Sequence, residues 1–167
     1  MTFVGHGASL NPFLAELDYP MFIVTTVHPR TGERAGCLIG FASQCSIDPD
    51  RFVVWLSEHN HTYRVARHAE SLAVHSLTRE QRALATLFGT RTGDEVDKFA
   101  RCDWEPGPSD VPILTECPHW FVGTVLDRVV WGNHTGFLLE PVRSHGRRQG
   151  PPLMFSDVRD LQAGHPA

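Results

Sequence analysis

The 167-residue sequence lacks the features of a nucleic-acid binder or a membrane span. Fifteen Lys and Arg stand against nineteen Asp and Glu, a net charge of −4 with histidine neutral and a pI near 6.2. Nothing here makes the strongly basic footprint that nucleic acid requires. No apolar run approaches the roughly 20 residues that cross a bilayer as a helix. The N-terminus has no basic segment leading into a long apolar run, so no signal peptide is expected, and a cytoplasmic protein is. Cys37, Cys45, Cys102 and Cys117 form no C-x-x-C pair. A chain of this length does not need a disulfide scaffold, and all four are expected reduced and packed. The N-x-T sequons at Asn60 and Asn133 then carry no glycosylation meaning.

Catalytic signatures are scarce too. There is no G-x-G-x-x-G and no G-x-x-x-x-G-K-[ST], so any nicotinamide is not held by a Rossmann domain. There is no G-x-S-x-G elbow, and His75, His119 and His134 are far apart, which leaves Ser-His or Cys-His hydrolysis without a frame. Ten histidines invite a metal reading, yet His59 and His61, two apart, define no shared ligand face and have no third partner. No metal site is expected. Repeats, low-complexity segments and a dividing linker are absent as well, and one domain follows.

What the sequence does have is concentrated between Gly36 and Thr62. Two β-like runs, Cys37 to Ile47 and Phe52 to Leu56, flank Asp48, Pro49 and Asp50, a corner that cannot continue a ladder. The first run mixes strand formers with Gly40, Ala42, Ser43 and Ser46. Glycine inside a strand often marks the close approach of a ligand or second backbone, and serine adds hydroxyls. The second run ends in Ser57, with Asn60, His61 and Thr62 before a helical pattern over Tyr63 to Ala69 and Asn60 placed as its N-cap. A strand of exposed backbone beside a helix start suits a flat heteroaromatic ring carrying a phosphate. The same residues also suit barrel closure and a cap that binds nothing, and on their own they leave both readings open.

Along the rest of the chain, residues 1–12 read as a loosely ordered arm and 13–167 as the domain. A short helix is expected over Pro12 to Leu17 and a strand over Met21 to His28, turning at Pro29 to Glu33. Ser71 to Leu77 reads as a core strand. Thr78 to Gln81 is a capping-box signature, and Ala83, Leu84, Leu87 and Phe88 share a helical face that stops at Gly89. Gly89 to Pro112 is loop-rich, with a short helical pattern over Glu95 to Ala100. Strands resume at Trp120 to Val130 and Gly136 to Val142, and Pro151 to Val158 closes the pattern. The fold class is mainly β, an antiparallel barrel with a few helices.

The ordered series Gly36, the run to Ser46, Ile47, Asp48-Pro49, Phe52 to Leu56, then Ser57, Asn60 and Thr62 resembles the flavin reductase family, the FMN-binding split barrels. Weaker echoes follow in order: Leu84 to Phe88, Asp97-Lys98-Phe99, Trp120 onward, Gly132-Asn133-His134-Thr135 and Pro151-Pro152-Leu153. Together they span about Tyr19 to Leu161. Leu38 departs from the family's threonine, Gly40 from serine or asparagine, Asp50 from a second proline and Asn133 from aspartate, so fewer hydroxyls would face the ring. The resemblance implies a Greek-key split barrel that pairs as a homodimer. It implies an NAD(P)H-dependent reductase of FMN, or of FAD in its place, with NAD(P)H as a transient co-substrate and a separate monooxygenase as recipient of reduced flavin. On this reading Gly40, Phe41, Ala42 and Ser43 lie along the ring, with Ser46 on the same strand. Ser57, Asn60, His61, Thr62 and Arg64 serve the phosphate, Phe99 packs near the ring and His134 is the catalytic candidate. Phe99 in the core and His134 as a backbone-bonding loop residue are the competing assignments. At the level of function the alternatives are a non-catalytic FMN-binding module, or an oxidoreductase using FAD, haem or a deazaflavin. No nucleic-acid or membrane partner is expected.

Overall fold

The computed structural model describes residues 7–166. Part of the expected arm, residues 1–6, therefore lies outside the described residues, and 7–10 are exposed ahead of a one-turn helix, α1 (Asn11–Leu14). Strands β1 (Phe22–Val27), β2 (Arg34–Ile39), β3 (Ala42–Ile47) and β4 (Asp50–Ser57) lead into α2 (His61–Ala66) and β5 (Ser71–Ser76). Then come α3 (Arg82–Thr90), the short strands β6 (Trp104–Pro106) and β7 (Pro112–Leu114), the long hairpin β8 (His119–Trp131) and β9 (His134–Gly146), and α4 (Phe155–Val158).

Seven strands form one antiparallel sheet in the order β2-β1-β5-β8-β9-β4-β3, and β6 pairs with β7 beside it. The two ends of that order, β2 and β3, are consecutive in sequence. The sheet curls until Gly40 and Phe41 join its ends, which makes it the expected barrel. The single run expected over Cys37 to Ile47 thus changes partner midway: β2 pairs with β1, and β3 pairs with β4. The corner after it is as expected, with Ile47 opposite Asp50. At the tip of the long hairpin Gly132 takes φ of 77°, where a side chain would be strained.

Alternation along β1 divides the interior in two, because successive residues face opposite sides of a strand. Ile23 joins Leu77, Leu84, Phe88, Phe99, Leu114 and Leu153, whereas Val24 joins Cys37, Val54, Leu56, Leu72, Phe137 and Leu139. Helix α3 lies on β2 through two glycines. A Cβ at Gly36 would meet Phe88 Cε1 at 2.7 Å, and one at Gly89 would meet Leu38 Cδ2 at 2.9 Å. Gly89 is therefore a packing position, and α3 continues through it to Thr90 where the sequence suggested a stop. The only lysine of the chain, Lys98, ties the same contact: its buried ammonium donates to Gly36 O at 2.8 Å and Phe88 O at 3.1 Å. Burial pushes its pKa down, and the two carbonyls replace the lost water.

The loop-rich stretch before β8 holds a feature the sequence did not suggest, the β6–β7 hairpin. Three-residue strands that contain Pro106 and Pro112 carry no readable alternation. This hairpin is fastened by His75. The fully buried ring has Nε2 3.0 Å from Leu114 N and Nδ1 3.0 Å from Ile23 O. An amide can only donate and a carbonyl only accept, so the ring must be the neutral Nδ1–H tautomer.

Burial pushes the His75 pKa down from 6.5 to about 4. The folded value lies below the unfolded one, so the contribution is complete above pH 6.5 and is lost as pH falls toward 4. The loss should reach on the order of 3 kcal/mol. Urea midpoints measured at about pH 7.5 and about pH 4.5 should differ accordingly, and His75→Gln should be less stable at the higher pH with a shallower pH dependence.

Candidate functional site

Three elements meet where the barrel is joined: the Gly40–Phe41 junction, the start of α2 and the tip of the β8–β9 hairpin. Ser57 ends β4 directly opposite His134, the first residue of β9. Two residues after Ser57 the chain must turn into α2, and Asn60 caps it as the sequence implied, with Oδ1 accepting from Thr62 N at 2.9 Å. The helix begins at His61, earlier than the pattern from Tyr63 suggested. The cap occupies the oxygen of the Asn60 amide. Its nitrogen faces the opposite way, 3.4 Å from Nε2 of His165 near the C-terminus. Behind the cap lies the Cys37 thiol, pushed up by burial, with Lys98, Thr62 and Asn60 opposing that shift. It stays a protonated core thiol.

His134 is half-buried, and its Nδ1–H donates to Asn133 Oδ1 at 2.6 Å, which leaves Nε2 as a free acceptor. Burial, then neighbouring His165, lowers its pKa against the pull of Glu58, so the ring is neutral at pH 7. It stands 5.2 Å from the Phe41 ring. Phe41, Trp55, Trp131, Asn133 and His134 line a cavity of about 420 Å³. Trp55 and Trp131 stack at 5.1 Å, and Trp55 lies over Gly136, its cross-strand partner, where a Cβ would come within 2.7 Å of the indole. Phe41 is 54% exposed and Trp131 69%. Flat apolar walls with one imidazole acceptor and one amide suit an aromatic ring with a polar edge.

On the other side of α2 lies a second groove of about 400 Å³, bordered by Gly32 to Gly36, His61 and Gly93 to Phe99. Its chemistry is different. His61 faces Glu33 Oε1 and Asp94 Oδ1, each at 3.0 Å, and Arg64 grips the Asp94 carboxylate at 2.5 and 2.6 Å. Arg64 first, and His61 with it, hold the Asp94 carboxyl down at about 2. Glu33, Asp94, Glu95 and Asp97 give this wall an acidic cast. Arg64 and His61, expected at a phosphate, are instead engaged with carboxylates here.

The remaining expected residues scatter. At Gly40 the space of a Cβ is held by the Tyr19 ring, so the body that approaches this glycine closely is the segment ahead of β1. Ala42 packs against the core, while Ser43 and Ser46 lie further along β3, outside the lining of either cavity. Phe99 is buried edge-on between Phe88 and Trp104, at 5.7 and 5.9 Å, as a core residue that only borders the acidic groove. Ser57, Asn60 and Thr62 are all buried, and of the three the Asn60 nitrogen is the group whose contact, His165, comes from the C-terminal segment. Sequence reasoning missed Trp55, Trp131, Asp94 and His165. The pairing of an aromatic with Gly136 across strands was the one available signal.

Residues 14–163 match the family model described as "Flavin reductase like domain". The chain is 29% identical over 127 residues to "FMN reductase (NADH) RutF" of Klebsiella pneumoniae subsp. pneumoniae, which covers 76% of each chain. Its fold is similar to that of a flavin reductase domain protein from Arthrobacter sp. FB24, at TM-score 0.79 and 22% identity over 95% of this chain and 94% of the other. It is also similar to a homologue of nitrilotriacetate monooxygenase component B from Mycobacterium thermoresistibile, at TM-score 0.76 and 24% identity, over 85% and 78%.

The two halves of the Asn60 amide can be separated experimentally. Asn60→Ala should cost about 1 kcal/mol in chemical denaturation through loss of the cap. Asn60→Asp keeps the cap oxygen and should stay within about 0.5 kcal/mol of the parent. Equal losses in both variants would show that the nitrogen, and not the cap oxygen, holds the segment.

Proposed function

We propose that this chain, which belongs to the flavin reductase-like domain family, is an NAD(P)H-dependent flavin reductase that takes FMN into the groove between Phe41, His134 and Asn60. The observation that carries this reading is the aromatic cavity at the hairpin tip, next to the α2 start where the buried Asn60 amide meets His165 through its nitrogen. A flavin needs flat apolar faces for its ring and hydrogen-bond donors for its polar edge and phosphate, and the groove has both kinds of surface. The likeness to RutF supports FMN and NADH as the pair, with FAD and NADPH as the alternatives the assay distinguishes.

Bound flavin supplies the hydride-accepting centre, and a dihydronicotinamide supplies the hydride. The protein's part is orientation. Phe41 and the Trp55–Trp131 stack provide the faces against which rings are held and from which water is excluded. Neutral His134 presents Nε2 as a hydrogen-bond acceptor at the cavity wall, its ring fixed by Asn133. The Asn60 nitrogen offers N–H to a phosphate or ribityl oxygen. The acidic groove across α2 repels a phosphate and so confines it to the Asn60 side.

The cavity is open, which suits release of reduced flavin to a separate monooxygenase. The fold likeness to a monooxygenase component B homologue is in keeping with that role. A second copy of the chain is the proposed cover for exposed Phe41 and Trp131 at the hairpin tip.

Purified protein mixed with FMN and NADH should consume NADH only when flavin is present, followed by the loss of dihydronicotinamide absorbance. Binding of FMN without such turnover would make the chain a flavin-binding module. No binding at all would end the flavin reading. His134→Ala should lower kcat/KM about tenfold while FMN affinity changes little. Asn60→Asp should weaken FMN about tenfold by placing a carboxylate where a donor stood.

A further inference from the structure

The C-terminal segment folds back onto the start of α2. It starts from a firm anchor: Val158 is buried, Leu161 packs on the core, Arg82 donates to Asp157 O and forks onto Asp160 at 2.8 and 3.0 Å. Gln162 and Ala163 are exposed, and then Gly164 and His165 turn back inward and are half-buried. Gly164 rests on the backbone at the end of α3. A Cβ there would meet Thr90 O at 2.8 Å and Arg91 C at 3.0 Å, so this seat admits glycine alone. From it His165 reaches Asn60 on one side and lies near His134 on the other.

The hydrogen-bond chemistry of that contact is the chemistry of a ligand. His165 Nδ1–H donates to its neighbour's carbonyl, Pro166 O, at 2.7 Å, which leaves Nε2 as an acceptor facing Asn60 Nδ2. Asn60 Oδ1 is already taken by the helix cap. The tail nitrogen thus accepts the donor that the flavin reading assigns to a phosphate or ribityl oxygen. We propose that Gly164–Pro166 is a displaceable plug, seated between Asn60 and His134 in the flavin-free protein and expelled when flavin enters; this rests on the flavin reading above. Among the described residues, the hydrogen bond of this segment to the body is the single long one from Asn60. Such a hold is weak enough to yield to a ligand. It reduces apparent flavin affinity by the fraction of molecules in which the plug is seated.

Two full-length variants unseat the tail without touching the groove. Gly164→Val drives a side chain into the Thr90–Arg91 backbone, and His165→Ala removes the acceptor. Both should tighten FMN binding about fivefold, read by quenching of flavin fluorescence, with Gly164→Val the stronger. The ring-proton resonances of His165 in the parent should move toward those of a free histidine when FMN is added, followed by NMR. Unchanged or weaker FMN affinity in both variants, or His165 ring resonances unmoved by FMN, would overturn the plug while leaving the flavin site in place. Absence of FMN binding to the parent and to both variants would retire the flavin reading and the plug together.

Discussion

The candidate site depends on one side chain with two faces. Asn60 turns its oxygen inward to satisfy Thr62 N at the start of α2, and this fixes where its nitrogen points. A helix of six residues is too short to hold its own first turn by propensity. The cap and the burial of Thr62, Val65 and Ala66 do that, and the same cap sets a donor at the groove. On the proposed reading, stability and recognition are coupled through a single amide. Residues further along the helix, His61 and Arg64, are drawn by Glu33 and Asp94 to the opposite side. The helix start therefore divides a neutral, aromatic groove from an acidic one.

That division is possible because the barrel is joined where it is. The change of partner at Gly40–Phe41 leaves Phe41 without a place in either flanking ladder pair, so its ring projects toward His134, while Phe41 O still accepts from Trp55 N at 2.9 Å. Gly40 has no room for a side chain because Tyr19 fills the space. Close packing on one side of the junction thus forces exposure of an aromatic on the other. Lys98, bound to Gly36 O and Phe88 O, locks α3 onto β2 and sets the end of that helix, which is the floor under Gly164.

Much of the fold was legible in the sequence, because it rests on local signals: alternating strands bounded by Pro and Gly, the Thr78–Gln81 capping box, Asn60 before a helical pattern. The change of partner at Gly40 was not, since both halves of the run are good strand residues and periodicity does not name a partner. Glycine at 40 did signal close approach, yet composition cannot say whether a ligand or Tyr19, 21 residues earlier, is the body that approaches. The Asn60 cap on Thr62 N was legible for the same reason. The pairing of Arg64 with Asp94 was not legible, because Asp94 lies 30 residues on in a loop with no pattern to place it. Trp55 and Trp131 come together only through the register of β4, β9 and β8.

Charge decides which end of the groove can hold an anion. Four carboxylates border the cavity beyond His61, and the cations there are engaged: Arg64 with Asp94, Lys98 with two carbonyls, and Arg34 over the Trp104 ring. A phosphate entering that side would meet a wall in which carboxylates outnumber the cations, at short range where repulsion is strongest. On the Asn60 side the nearest carboxylate, Glu58, accepts from Thr135 Oγ1 at 3.2 Å, and the groups facing the groove are neutral. There the cost of docking an anion is its desolvation, which amide donors offset. Affinity built this way is modest, since it comes from neutral donors and aromatic contact without a dedicated cation. Modest affinity is what a reductase that gives up its reduced flavin requires, and it is also the regime in which a tail held by one long hydrogen bond can compete.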